Sequence, residues 1–283
     1  MKIYDLHAHS NFSDGVLPPH EVVARAKLRG VDVLALTDHD SVAGLDAAST
    51  AAREHGMTLI PGVEISVTWE KYLVHILGLC VDRSNATLLQ GLAQLQEIRE
   101  RRAELMGERL EKHGVPNALA GALKHASNGL VTRRHFALHM VEIGMAPTLP
   151  KVFERYLRPS KPGYVATQWV SLQDTVNWIN AAGGVAVVAH PQRYDMSATT
   201  RRRLAEQFAA YGGVGIEVVC GGSGQDVVQS SAALAQRFGL LASVGSDFHD
   251  PASSWTDLGR LAPLPPDATP IWSHERFGDK KGG

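Results

Sequence analysis

The chain has 283 residues, of which 44% are hydrophobic and 20% are charged, proportions typical of a globular protein with one large domain or a domain that carries an insertion. No apolar run reaches the roughly 18–20 residues that span a bilayer, and the first residues enter a strand directly, so we expect neither a membrane segment nor a signal peptide. The two cysteines and the formal net charge of −1 argue against a disulfide framework and against chain-wide nucleic-acid binding, and they favour a cytoplasmic location.

Apolar strands and helices alternate through the first part of the chain. In order, the pattern predicts a strand at 2–10, a helix at 21–29, a strand at 31–36, a helix at 44–55, and strands at 58–65 and 72–79. Gly30 and Gly56 follow the two helices, where a glycine commonly ends a helix. Continuous apolar strands that alternate with helices predict a parallel sheet covered on both faces.

The alternation then stops and later resumes. Residues 85–112 are typical of one long charged helix, and 133–143 and 149–157 of shorter ones. The second alternating series predicts helices at 171–182, 199–211 and 225–238, and strands at 185–189, 215–219 and 240–244. We therefore predict an α/β fold of seven strands, with a barrel domain at 1–98 and 164–283 and a helical insertion, or cap, at 99–163.

Charge divides along the same boundary. Residues 99–163 contain 12 Lys and Arg but 6 Asp and Glu, although the whole chain has a net charge of −1. An acidic barrel beside a basic insertion suits a site that holds cations and attracts a polyanionic substrate. The alternative is that the exposed helices simply carry charge, and the alternating Glu and Arg of 99–111 are mostly of that kind.

Side chains that bind divalent metals lie at or near the ends of the predicted strands. His7 and His9 are two residues apart on the first strand, so their side chains point to the same side. In βα barrels the active site is built at the carboxyl ends of the strands, from residues of several strands. Nine residues are therefore expected to meet at one end of the barrel: His7, His9, Asp14, His39, Glu64, His75, His190, Asp247 and His249.

These residues lie in motifs that resemble those of the PHP (polymerase and histidinol phosphatase) family. The motifs are His7-x-His9, Asp14, Thr37-Asp38-His39-Asp40, Pro61-Gly62-Val63-Glu64, His75, Ala189-His190-Pro191 and Gly245-Ser246-Asp247-Phe248-His249. The resemblance covers about residues 1–100 and 164–260. It implies the family fold, a distorted (β/α)7 barrel related to the TIM barrel, which agrees with the seven strands that the apolar pattern predicts.

The resemblance also implies a cluster of three divalent ions. One ion would be held by His7, His9, Glu64 and Asp247, a second by Glu64, His75 and His190, and a third by Asp14, His39 and His249. Histidine and carboxylate ligands without thiolate suit Mn, Fe or Zn, and the family favours Mn²⁺. No catalytic group is assigned beyond the hydroxide that bridged metals generate. Asp5, Asp38 and Asp40 either orient imidazoles, transfer protons or only cap turns.

Substrate choice must come from outside the metal cluster, because such a cluster binds the scissile phosphate of almost any phosphoester. Basic residues near the barrel mouth are candidates, since Arg forms bidentate contacts with phosphate and Lys adds a point charge. For any single Arg, an ordinary surface position is an equally good interpretation. Three such clusters, at 133–135, 160–164 and 192–193, together favour a second phosphate site. We expect this phosphate to be bound by Arg134, His135, Ser160, Lys161 and Arg193.

The insertion after the fourth strand, followed by a Lys-Pro-Gly-Tyr-Val segment at 161–165, resembles one branch of the PHP family. That branch contains 3′,5′-nucleotide bisphosphate phosphatases and ribonucleases that trim short RNA from the 5′ end. The resemblance implies removal of the 3′-phosphate from nucleoside 3′,5′-bisphosphates such as adenosine 3′,5′-bisphosphate. The alternatives are a 5′→3′ exoribonuclease on short RNA and a non-catalytic, metal-binding regulatory module. Histidinol phosphate as substrate would give the basic insertion no role, and no membrane or obligate protein partner is expected.

Overall fold

The structure, a computed structural model, describes residues 2–253 and 255–278. Its strands are β1 (Tyr4–Asp5), β2 (Val33–Leu36), β3 (Thr58–Trp69), β4 (Tyr72–Leu79), β5 (Val170–Ser171), β6 (Val185–Val188), β7 (Gly215–Cys220) and β8 (Leu241–Gly245). Seven of them follow one another in the order β1-β2-β3-β4-β6-β7-β8, and β5 pairs with the outer part of β3. The N–H of Leu6 donates to the carbonyl of Val244 at 3.0 Å, which links the two end strands. The expected distorted seven-stranded barrel is confirmed.

One strand runs against the others. β4 is antiparallel to both of its neighbours, β3 and β6, so the expectation of a wholly parallel sheet is wrong here. Only Glu70 and Lys71 separate β3 from β4, and so short a connection can join only antiparallel strands. The reversal brings His75, which lies in the first half of β4 opposite Ser66, to the barrel end where the parallel strands finish.

The helices cover the outside of the barrel or form the insertion. They are α1 (Pro19–Leu28), α2 (Leu45–Glu54), α3 (Ala86–Lys112), α4 (Ala118–His125), α5 (Arg133–Glu142), α6 (Leu149–Val152), α7 (Leu172–Ala181), α8 (Ala198–Ala210) and α9 (Gln225–Arg237). Side-chain caps fix several starts: Asn85 accepts a hydrogen bond from the N–H of Leu88, and Ser171 accepts one from that of Asp174. Within the described ranges, no helix is both long and apolar enough to cross a bilayer.

Helices α3 to α6 pack around a hydrophobic cluster of their own. Met106, Leu110 and Phe136 are fully or almost fully buried in it, whereas Leu95, earlier on α3, belongs to the cluster of the barrel. The long helix α3 therefore connects the two cores. The stretch 149–157, expected as one helix, consists of α6 and a π-helical turn, Phe153–Leu157. The domain boundaries at 99 and 163 stay a prediction.

Candidate metal centre and substrate cleft

Glu64 lies at the centre of the histidine and carboxylate cluster at the barrel mouth. One of its oxygens, Oε1, is 3.0 Å from His75 Nδ1 and 3.0 Å from His190 Nε2. The other, Oε2, is 2.9 Å from His39 Nδ1, 3.3 Å from His9 Nε2 and 3.4 Å from His7 Nε2. Asp247 and Asp14 contact further members of the set, including His249. The structure thus brings all nine of the sequence-predicted residues into one connected cluster.

Within this cluster, three groups have ligand atoms close enough together to hold one ion each. The groups are His7, His9, Glu64 and Asp247; His9, Asp14, His39 and His249; and His39, Glu64 and His75. The first is the set that the sequence implied. The second group is the implied set of Asp14, His39 and His249 with His9 added. The third has His39 where the implied set has His190, which contacts Glu64 but joins none of the three groups. The detailed ligand assignment stays a prediction.

Several ligand-type atoms of this cluster are buried and make no well-aligned hydrogen bond to another described residue. They are Asp14 Oδ1, His39 Nδ1, Glu64 Oε2 and His190 Nδ1; the 2.9 Å between His39 Nδ1 and Glu64 Oε2 is a short contact without hydrogen-bond geometry. A buried polar atom without a partner costs free energy, and native proteins rarely leave one in that state. Divalent cations that prefer nitrogen and oxygen donors would satisfy these atoms. The donor set therefore fits metal ions.

The charges of the cluster also fit bound cations. Burial acts to raise the pKa of Glu64, but the neighbouring His39, His75 and His7 outweigh it and lower that pKa well below its usual range. Burial likewise acts to lower the pKa of His7, but Glu217, Glu64 and Asp247 raise it well above its usual value. Positive charge next to the carboxylates thus favours their ionised form. Protons on the histidines can supply that charge, and so can metal ions.

Two members of the cluster have unusual backbone conformations. His190 has a φ of 29° and Asp247 a φ of 55°, in a region that residues other than glycine seldom adopt. Each lies two residues beyond the end of a strand, β6 or β8, where the chain must turn while it presents a side chain to the barrel mouth. Such strain costs on the order of 1–3 kcal/mol and concentrates at functional sites.

Glu217 is a buried partner of the cluster to which the sequence interpretation gave no role. Its Oε1 is 2.9 Å from His7 Nδ1, and its Oε2 accepts a hydrogen bond from the backbone N–H of His190 at 2.6 Å. It therefore fixes both a side chain and a strand end of the cluster. The available signal was a single glutamate inside the apolar strand β7, because a charge buried in a sheet needs a partner.

The three aspartates that were candidates to orient imidazoles have other contacts. Asp5 accepts hydrogen bonds from the backbone N–H groups of Ser246 and Gly259, and Asp40 accepts from that of Ser66. Asp38 acts indirectly: it accepts a hydrogen bond from the hydroxyl of Ser13, which lies 3.4 Å from His9 Nδ1. These carboxylates hold loops at the barrel mouth, and only Asp38 reaches an imidazole, through Ser13.

A cleft of about 100 Å³ separates the cluster from the insertion. Asp14, His39 and His75 form its barrel side, and the opposite side carries the four arginines Arg99, Arg102, Arg133 and Arg134. Arg99 is ion-paired with Asp40, and Arg134 with Asp250 at 2.7 Å. Carboxylates thus neutralise two of the four.

Arg102 and Arg133 have no such partner among the described residues. Arg102 is only 8% exposed, and its guanidinium lies over the ring of Trp169 at 5.7 Å. That of Arg133 lies over Phe153 at 6.0 Å. Burial, together with the charges of Arg133 and Arg99, lowers the pKa of Arg102 to about 9. A buried cation that faces a cleft without a counterion indicates an anion-binding position. Sequence reasoning missed Arg102, which lies on a helix whose other charges are mostly exposed.

The five residues predicted to bind a second phosphate are not brought together. Arg134 lines the cleft but pairs with Asp250. His135 is 3% exposed, and its Nδ1 accepts the N–H of Thr132 in a capping box of α5. Ser160 and Lys161 are exposed and do not line this cleft. Arg193 lies on the other side of the cluster, where it pairs with Asp247. A phosphate-binding role for this set stays a prediction. The geometry adds Arg102 to it and favours Arg133, which belongs to the same predicted basic cluster as Arg134.

Comparison with known proteins places the chain among phosphoesterases. A family model described as the PHP domain matches residues 5–132. The chain is 47% identical over 269 residues to a 3′,5′-nucleoside bisphosphate phosphatase from Chromobacterium violaceum, an alignment that covers 95% of this chain and 94% of the relative. It is 45% identical over 276 residues to a 5′-3′ exoribonuclease from Haemophilus influenzae, with 98% and 99% covered.

Solved structures give the same result. An amidohydrolase from Chromobacterium violaceum, solved with bound sulfate and no metal, matches with a TM-score of 0.93 and 45% identity, over 98% of this chain and 96% of that one. A second structure, from Bifidobacterium adolescentis, matches with a TM-score of 0.82 and 28% identity, over 98% and 95%. The similarity therefore extends through the barrel and the insertion.

Proposed function

Because the chain belongs to the PHP domain family, we propose that it is a metal-dependent phosphoesterase that acts on nucleoside 3′,5′-bisphosphates. It removes the 3′-phosphate and yields the nucleoside 5′-monophosphate and inorganic phosphate. In the reaction, the oxygen of a water attacks the 3′-phosphorus, the bond between that phosphorus and the ribose 3′ oxygen breaks, and the 3′ oxygen leaves with a proton. The family membership rests on relatives that match almost the whole chain.

The observation that carries this proposal is one cleft with two kinds of charged wall. Its barrel side has the metal-binding cluster around Glu64, and its insertion side has Arg102 and Arg133, which have no carboxylate partner in the part of the chain that the structure describes. A substrate with two phosphates matches both walls, because one phosphate can meet the cations held by the cluster while the other meets the guanidinium groups. A substrate with one phosphate would leave one wall uncompensated.

We propose Mn²⁺ as the native metal, in three sites that together use the nine clustered residues; Fe and Zn have the same donor preference. When bound, such ions activate water and neutralise the charge of the phosphate under attack. The protein's own residues position these partners. Glu64 contacts histidines of several strands, Glu217 fixes His7, and Arg102 and Arg133 orient the substrate through the phosphate that is not cleaved.

The direct test compares phosphate release from adenosine 3′,5′-bisphosphate and from adenosine 3′-monophosphate by the Mn²⁺-loaded protein. We expect kcat/KM to be at least ~100-fold higher for the bisphosphate, which corresponds to about 2.7 kcal/mol from the second phosphate. Equal values would contradict the two-phosphate site. Metal analysis of the purified protein tests the centre separately, and fewer than about two ions per chain would favour the non-catalytic regulatory module.

A second candidate is 5′→3′ hydrolysis of short RNA, which differs only in that the 3′-phosphate carries another nucleotide. A specific observation favours it: a cavity of about 180 Å³ borders the cluster at His190 and shares no lining residue with the cleft that holds Arg102 and Arg133. His190, Arg193 and the loop Gly221–Gly224 line it, and it could receive a leaving nucleotide. A 5′-phosphorylated trinucleotide separates the two, since a phosphatase alone would leave its internal bonds intact. A cytoplasmic location stays a prediction that rests on the low cysteine content.

A further inference from the structure

The cleft that faces the metal cluster does not end at its arginines. A second cavity, of about 320 Å³, begins where the cleft stops, and the two share four lining residues: Leu73, Arg102, Arg133 and Trp169. Arg102 and Arg133 therefore form a boundary that can be contacted from both sides. One water molecule occupies about 30 Å³ in the liquid, so the outer cavity has room for a polar group of several heavy atoms.

The outer cavity is also basic. Its charged lining consists of Arg102, Arg133, Lys71 and Glu70. The carboxylate of Glu70 is compensated by Arg203, whose guanidinium donates to both of its oxygens at 2.6 Å. Lys71 is exposed, with its ammonium 5.4 Å from the ring of Tyr72. Three cations thus face this space against one acidic group that is already paired, which favours an anionic occupant.

The walls of the cavity are fixed by the fold. Trp169, 6% exposed, carries the guanidinium groups of both Arg99 and Arg102 over its ring, at 5.1 and 5.7 Å. Its backbone N–H donates to the hydroxyl of Thr68 at 2.8 Å, which attaches the segment to β3. Cation–π contacts restrain each guanidinium while they leave its N–H donors available. Among the described residues, no acceptor is found for the N–H groups of the Arg102 guanidinium, so they are available beside both cavities.

From these contacts we infer that the 5′-phosphate position is open at its outer side, and that the site accepts nucleoside 3′-phosphates whose 5′ end carries a diphosphate. The 3′-phosphate would lie at the metal cluster, the first 5′-phosphate between Arg102 and Arg133, and the second 5′-phosphate in the outer cavity near Lys71. The reaction is unchanged: the P–O3′ bond is hydrolysed and the diphosphate stays on the product. This inference rests on the proposed function and extends its substrate class.

The test uses the Mn²⁺-loaded full chain and compares adenosine 3′-phosphate 5′-diphosphate with adenosine 3′,5′-bisphosphate. We expect the two kcat/KM values to agree within about ten-fold. Lys71→Ala should lower kcat/KM for the diphosphate about five-fold and change that for the bisphosphate less than two-fold. Lys124→Ala, an exposed lysine of α4 outside both cavities, is the matched control and should change neither.

Binding of the two products, ADP and AMP, provides a readout that does not depend on hydrolysis. By calorimetry on the Mn²⁺-loaded protein, ADP should bind at least as tightly as AMP, and Lys71→Ala should weaken ADP alone. Three results would overturn the inference that the 5′-phosphate position is open at its outer side. They are a kcat/KM for the diphosphate substrate more than ten-fold below that for the bisphosphate, weaker binding of ADP than of AMP, and a Lys71→Ala effect that is equal or absent for both ligands. Failure of the proposed function gives a different result, namely no preference for adenosine 3′,5′-bisphosphate over adenosine 3′-monophosphate.

Discussion

Glu217 controls the protonation of a proposed metal ligand, and this gives a sharp prediction. Its Oε1 lies 2.9 Å from His7 Nδ1, and a carboxylate can only accept a hydrogen bond. The ring proton of a neutral His7 is therefore held on Nδ1. The other ring nitrogen, Nε2, then faces His9, Asp247 and Glu64 at 3.1 to 3.4 Å with its lone pair free for a metal ion.

The substitution Glu217→Gln keeps the size of the side chain but gives it one donor end. If the amide oxygen takes the backbone N–H of His190, now bonded at 2.6 Å, the amide NH₂ faces His7 Nδ1 and moves the ring proton to Nε2. If the amide is reversed, two donors meet at His190, at a cost of about 1–3 kcal/mol. Either arrangement disturbs the site, so we expect metal affinity to fall ~10–100-fold, or about 1.4–2.7 kcal/mol.

Equilibrium dialysis against Mn²⁺ measures this effect directly, with metal content determined per chain. Glu206→Gln is the matched control, because Glu206 is exposed on α8 and lies outside the cluster, and it should bind Mn²⁺ like the wild type. Phosphatase activity of Glu217→Gln should recover in part when Mn²⁺ is raised to saturation. An unchanged Mn²⁺ affinity in a Glu217→Gln protein that melts at the wild-type temperature would refute the reasoning.

Three further predictions follow from single residues or from the whole centre. Burial lowers the pKa of His135 to about 4, so between about pH 6.5 and 4 the unfolded chain binds more protons than the folded one, and the free energy of unfolding falls as the pH falls. His135→Gln keeps an acceptor for the capping box and should flatten this pH dependence when it is measured by urea unfolding. An unchanged pH dependence would show that another group causes it. Arg102→Met should raise KM for adenosine 3′,5′-bisphosphate at least ~10-fold. It should also increase the free energy of unfolding by ~1–3 kcal/mol, because it removes a buried charge that has no counterion among the described residues. Lower stability with an unchanged KM would assign Arg102 a structural role. Removal of metal by a chelator should lower the melting temperature, since a ligand at 100 times its Kd adds about 2.7 kcal/mol to the free energy of unfolding. Equal melting curves with and without Mn²⁺ would contradict a metal centre in the folded protein.

The barrel and its ligand cluster could be predicted from the sequence because both depend on local patterns. His7 and His9, two residues apart, both reach Glu64, although strand β1 ends at Asp5 and Ala8 between them forms an isolated bridge with Phe248. The buried apolar runs indicate where the other strands end. The orientation of β4 was missed because its apolar run is the same in either direction. Only the two-residue connection Glu70–Lys71 distinguishes the two directions, and a third strand predicted to end at 65 rather than at Trp69 hides how short that connection is.

The substrate side of the site could not be predicted in the same way, because it depends on contacts between distant segments. Arg102 belongs to a helix of alternating charges, and only its contact with Trp169, far along the chain, distinguishes it from a solvated residue. His135 was predicted to bind phosphate, but its position three residues after Thr132 makes it part of a helix cap. A local sequence pattern thus shows that a residue is polar, whereas its contacts in the fold determine whether it binds substrate or stabilises the structure.

The pairing of charges at the barrel mouth explains why the insertion and the barrel form one site. Among the described residues, Arg99 pairs with Asp40, Arg134 with Asp250 and Arg193 with Asp247, so these arginines are compensated within the protein. In the chain alone, protons on the histidines supply positive charge to the carboxylates around Glu64, whereas Arg102 has no carboxylate partner among the described residues. Arg102 and Arg133 line the same cleft as Asp14, His39 and His75. A metal ion can take the place of the protons, and a polyanionic substrate in the cleft then meets both the ion and the two arginines.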